Sequence, residues 1–89
     1  MMIEQQFYVV VFESTHYAIA GEKVFKENGY EFDVIPTPRE ITHSCGLSIR
    51  FKVQDVENIR RKMQDAHISI KGIYEIQKIN DKKVVKEII

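Results

Sequence analysis

The chain has 89 residues, thirteen basic and thirteen acidic, and no formal net charge at pH 7. That balance argues against nucleic acid, because holding a phosphate backbone normally needs a basic excess or stripe. At this length residues 1–89 form a single domain, and the 44% apolar content is ordinary for a globular one.

The first element is the β-branched and aromatic run Phe7 to Phe12, which reads as a buried central strand. Ser14 or Thr15 is placed to cap a helix by accepting from its free amides. The helix is expected from Thr15 to Asn28, with Tyr17, Ala20, Gly21 and Val24 on its apolar stripe, widened by Ala18 and Phe25. Gly29 supplies a left-handed stop. Gly21 costs about 1 kcal/mol in mid-helix relative to alanine, and close approach of helix and sheet is the simplest reason for it.

Tyr30 to Ile35 reads as a second strand with Phe32 and Val34 on one face, ended by Pro36 and Pro38. Leu47, Ile49 and Phe51 alternate with Ser48, Arg50 and Lys52 as a half-buried third strand, so Arg50 and Lys52 read as a solvated face or an edge contact. Asp55 is placed to cap a second helix in which Val56, Ile59, Met63 and Ala66 recur. His67 suits that helix's C-terminus. Ile68 to Ile79 reads as a fourth strand, Asn80-Asp81-Lys82 as a turn, and Val84 to Ile89 as a short fifth strand or a tail.

The order strand, helix, strand, strand, helix, strand predicts an α+β, ferredoxin-like βαββαβ sandwich. It would hold a four-stranded antiparallel sheet in the order 4-1-3-2, two helices on one face, and the short fifth strand as an addition. A domain this small buries roughly 60–65% of its unfolded surface, so a homodimer would add stability.

The single cysteine, Cys45, lies between the second and third strands, in the run Pro36 to Gly46 that also holds Arg39 and His43. A lone thiol forms no internal disulfide, and no paired ligand spacing of the zinc type exists, so neither metal nor cofactor is expected. Met1 to Gln6 has neither the basic end nor the apolar run of a secretory signal, and no apolar run is long enough to span a bilayer. With a free thiol, the expectation is a cytoplasmic protein without a membrane contact.

The expected topology brings the cysteine loop to the end of the sheet where Ser14, Thr15 and His16 open the first helix. Helix N-termini favour anions, a thiolate or oxyanion included. An ordinary thiol of pKa about 8.5 is only ~3% ionised at pH 7. Majority thiolate needs a shift of about two units, or ~2.7 kcal/mol, and a helix end supplies at most ~2. A second cation is therefore required, for which Arg39, His43 and His16 are the candidates, while Gly46 would admit a partner's backbone. Against this stands inert packing, since free cysteine is among the most buried residue types. Tyr8, Tyr17, Tyr30 and Tyr74 read as core or rim residues.

The stretch from Val9 to Phe51 resembles the selenium/sulfur carrier protein-like family. The matching features are the Phe12-Glu13-Ser14-Thr15 turn leading to Ala18, Glu22 and Lys23, then Pro36-Thr37-Pro38-Arg39, and Ser44-Cys45-Gly46 entering the third strand. Such families commonly carry Ser-Ser before the cysteine, where this chain has Thr42-His43-Ser44. The resemblance implies a small protein, usually bacterial, whose cysteine carries sulfur or selenium as a persulfide or selenosulfide. A donor protein would load it and an acceptor enzyme unload it, making it an accessory rather than a free-standing enzyme. Two readings compete: a small non-catalytic regulatory or protein-interaction module, and a redox sensor whose cysteine forms an intermolecular disulfide.

Overall fold

The computed structural model describes residues 3–41 and 46–89. Its elements in chain order are strand β1 (Ile3–Phe12), helix α1 (Thr15–Glu27), β2 (Phe32–Pro36) and β3 (Leu47–Phe51). A 3-10 turn over Val53–Asp55 then leads into α2 (Val56–Asp65), β4 (Ile70–Ile79) and β5 (Lys82–Glu87). The five strands form one sheet in the order β2-β3-β1-β4-β5, and every neighbouring pair is antiparallel. The sheet thus has five strands rather than four.

β1 occupies the middle of the sheet because it is the most apolar strand, and Val9, Val10, Val11 and Phe12 are all fully buried. Alternate side chains of a strand point to opposite faces. Val10 and Phe12 meet Ile49, Phe51 and Ile73 in a core that also takes Ala18 and Phe25 from α1 and Ile59 and Met63 from α2. Both helices therefore cover one face. Each such side chain contributes roughly 1.5–3 kcal/mol when fully buried. Phe25 is the hub of the aromatic part, with ring centroids 5.3 Å from Phe32, 5.8 Å from Phe51 and 6.1 Å from Tyr30.

Gly21 shows why α1 carries a glycine in its interior. A Cβ there would sit 2.5 Å from the ring of Phe12, so its absence sets how closely helix and strand approach. Ser14 is the α1 N-cap, its Oγ accepting from the Tyr17 amide at 3.4 Å. Gly29 follows the helix with φ of 71°. Asp55 stands at the N-cap position of α2 without capping through its side chain. Ala66, expected on the apolar stripe, is exposed at the C-cap, and His67 follows with φ of 57°.

Among the differences from expectation are two strand boundaries and the exposure of one side chain. Pro36 is the last residue of β2 rather than its terminator, which a sheet tolerates because β2 is an edge strand. Val34, opposite Ile49 on this edge strand, is exposed and stands outside the core cluster. The fifth strand begins at Lys82, since Asn80 and Asp81 both adopt positive φ (51° and 65°) and pair Ile79 with Lys82 in a two-residue hairpin.

The other sheet face is not bare. Val9, Val11 and Ile76 form a second apolar cluster there, flanked by Phe7, Ile35, Tyr74 and Val85 and by Ile41 from the β2–β3 loop.

Candidate functional site

The ladder places the base of the β2–β3 loop. Val11 pairs with Ser48, Ser48 with Ile35 and Leu47 with Pro36. β3 therefore begins at the end of the sheet where β1 finishes and α1 starts. The Thr37 amide donates to the Gly46 carbonyl at 3.1 Å, closing the loop one step beyond the ladder. The same end is stitched on its other side, where the Glu13 amide donates to the Ser69 carbonyl just before β4.

Beneath that closure, the hydroxyls of Thr37 and Ser48 lie 2.6 Å apart. Ser48 is the one buried polar residue among the described residues, although the alternation of its strand set it opposite the buried side chains, on the face expected to meet solvent. It is buried because the second face is covered, and its hydroxyl is satisfied by Thr37.

The first half of the loop folds across the sheet face opposite the helices. Pro38 is buried, the Ile41 amide donates to the Pro38 carbonyl at 3.0 Å, and Ile41 packs on the Val9, Val11 and Ile76 cluster. Glu40 pairs with Lys83 of β5 at 3.5 Å. The amide of Glu40 itself, and then Lys83, hold its carboxyl below the usual glutamate range. Arg39 is exposed on this turn. The sequence carried no periodic signal for this path, because a loop's docking face has no repeat to read.

Of the residues singled out in the sequence, Cys45 and His43 lie outside the described residues. Gly46, next to Cys45 in the chain, is exposed at the start of β3, on the same end of the sheet as Ser14, Thr15 and His16. Thr15 and His16 are exposed on the first turn of α1, and the His16 ring stands edge-on to Tyr17 at 6.0 Å. Arg39 belongs to the segment on the opposite sheet face. The structure therefore gathers Ser14, Thr15, His16 and Gly46 at one end and sets Arg39 on the loop's outgoing limb. Among the described residues, no group of three or more His, Cys, Asp or Glu converges on a metal position.

A cleft of about 770 Å³ lies elsewhere, at the far end of β3, roughly 13 Å along the strand from Leu47. Phe7, Phe51, Arg50, Lys52, Glu31 and Asp33 are among its lining residues. Its charges are already paired: Arg50 bonds Asp33 across the β2–β3 ladder, and Lys52 bonds Glu31 at 2.6 Å. Glu31 also raises the ammonium pKa of Lys52, mainly through that hydrogen bond. The Arg50 guanidinium stacks 5.2 Å from the Phe7 ring centre. Arg50 and Lys52 are thus cross-strand contacts to the edge strand.

The fold and the loop define a small α+β protein with a single sheet, two helices on one face, and the start of the β2–β3 connection, residues 37–41, folded over the other. The chain belongs to the family described as "Putative Se/S carrier protein-like", whose model matches residues 7–75. It is also 30% identical, over 60 residues, to an uncharacterized protein of Methanocaldococcus jannaschii. That match covers 67% of this chain and 30% of the relative, so the chain spans less than a third of the relative's length. No solved structure gives a significant match. Among the described residues, no helix is long and apolar enough to cross a membrane.

Proposed function

We propose that this protein is a sulfur or selenium carrier in which Cys45 accepts the atom from one partner protein and passes it to another. The observation that carries the reading is the family match over residues 7–75, which spans the whole cysteine loop. The first four strands and two helices support a ferredoxin-like core for it, with β5 added at one edge.

The chemistry balances with one thiol. The Cys45 thiolate attacks the terminal sulfur of a donor persulfide, the donor's S–S bond breaks, and the donor leaves as a thiolate. Cys45 is left as a persulfide, which an acceptor thiolate or enzyme then takes. A single cysteine suits the task, since no second thiol in the chain can discharge the cargo as an internal disulfide. Ser14, Thr15 and His16 at the α1 N-terminus, with Arg39 and His43 on the loop, are the groups assigned to stabilise the anionic forms. Gly46 is assigned to leave room for the partner's approach.

Incubation with a cysteine desulfurase and cysteine, followed by intact mass measurement, should show an adduct of about 32 Da. Cys45→Ala should lack it, and reductant should remove it. Absence of any adduct with sulfur and with a selenium donor overturns the reading. In that case alkylation of Cys45 would leave partner binding intact.

A further inference from the structure

The outgoing limb of the β2–β3 loop, Thr37 to Ile41, is attached to the sheet unequally. At Thr37 it is tied to β3 twice, by the amide bond to Gly46 and by the hydroxyl contact with Ser48. Beyond Thr37 it holds its own shape through the turn from Pro38 to Ile41. Among the described residues, no backbone hydrogen bond joins residues 38–41 to the strands beneath. What holds the limb down is the buried Pro38 ring, the half-buried Ile41 side chain and an ion pair whose two side chains remain about half exposed, Glu40 with Lys83.

We propose that residues 37–41 form a strap that docks and undocks as a unit on the face away from the helices, hinged at Thr37 and latched by Glu40 to Lys83. A turn with its own internal hydrogen bond can leave without breaking main-chain pairing. Among the described residues its attachments are a few side-chain contacts, whereas β1 beneath it is paired on both sides and fully buried from Val9 to Phe12. Local opening is drawn from segments of that kind, with few buried contacts and no ladder. Undocking withdraws Ile41 from the apolar cluster of Val9, Val11 and Ile76, and frees the latch across β5. The device follows from the fold alone and holds whether or not Cys45 carries sulfur.

Trypsin reads the strap directly, because Arg39 sits on its exposed turn and must be extended to be cut. Under native conditions, with rates normalised to cleavage of the unfolded chain, Lys83→Gln should raise the rate after Arg39 about two- to fivefold. Ile41→Ala should raise it by about tenfold. Cleavage after Arg60 and Arg61 in α2 should stay at the wild-type rate in both variants. High salt should accelerate cutting at Arg39 in the wild type and leave Lys83→Gln unchanged. Equal Arg39 rates in all three proteins overturn the proposal. So does a rise at Arg39 matched by an equal rise in α2, since the strap would then open only with the whole domain.

Discussion

The hydroxyls of Thr37 and Ser48 meet at 2.6 Å under the base of the β2–β3 loop, joining the residue that follows β2 to the interior of β3. Ser48 is fully buried, so its side chain could not stand there without a partner. Ser48→Ala leaves the Thr37 hydroxyl unmatched in a partly buried place and should cost about 1 kcal/mol in urea unfolding. Adding Thr37→Val to that variant should cost little more, because the two hydroxyls act as one contact. Equal, additive losses from the two substitutions would show that they do not.

Helix propensity and packing oppose one another at Gly21. Alanine is worth about 1 kcal/mol more than glycine in a helix interior. Its Cβ would sit 2.5 Å from the Phe12 ring, which is fully buried, so the ring or the helix would have to shift. Overpacking of this kind costs about 1–3 kcal/mol, so Gly21→Ala should be net destabilising in thermal or urea unfolding. In a Phe12→Leu background the same substitution should become neutral or favourable. A stabilising Gly21→Ala in the wild-type background would contradict the close approach.

Tyr74 contributes to the loss of stability at alkaline pH. Burial first, then the charge and hydrogen bond of Glu87, raise its phenol above the ordinary tyrosine range. A raised folded pKa means that the contribution is fully present below the unfolded value of about 10 and is lost as pH rises through the folded one. Urea midpoints measured across pH 8 to 11 should therefore fall more steeply for the wild type than for Tyr74→Phe. The tyrosinate absorbance titration of the folded protein should lose a component above the ordinary tyrosine range in that variant. Parallel midpoint curves would remove Tyr74 from the account.

Much of the fold was legible because burial leaves a period. The unbroken run Phe7 to Phe12 announced a strand covered on both sides, and it lies in the middle of the sheet. The Leu47, Ile49 and Phe51 alternation gave the helix-facing side of β3, and the stripe on α1 gave Ala18, Gly21 and Phe25. What misled was the assumption that the alternate residues of β3 face water. Ser48 is buried because the second face has a cover of its own there, whereas Arg50 and Lys52 are exposed and contact the edge-strand side as expected.

For the candidate site, composition alone picked out the lone cysteine, its arginine and histidine neighbours and the prolines around them. Local sequence also set the α1 cap, because Ser14 needs only the amide three residues on. The strap could not be read in the same way. Glu40 and Lys83 are 43 positions apart in the chain, and they meet only because β5 lies at the far edge of the sheet and the loop turns across its open face. Likewise Ile41 became a core neighbour of Val9 and Val11 through that crossing. Side-chain chemistry and period are properties of neighbours along the chain. Which face a loop folds over depends on the assembled sheet, and that is a property of the whole tertiary structure.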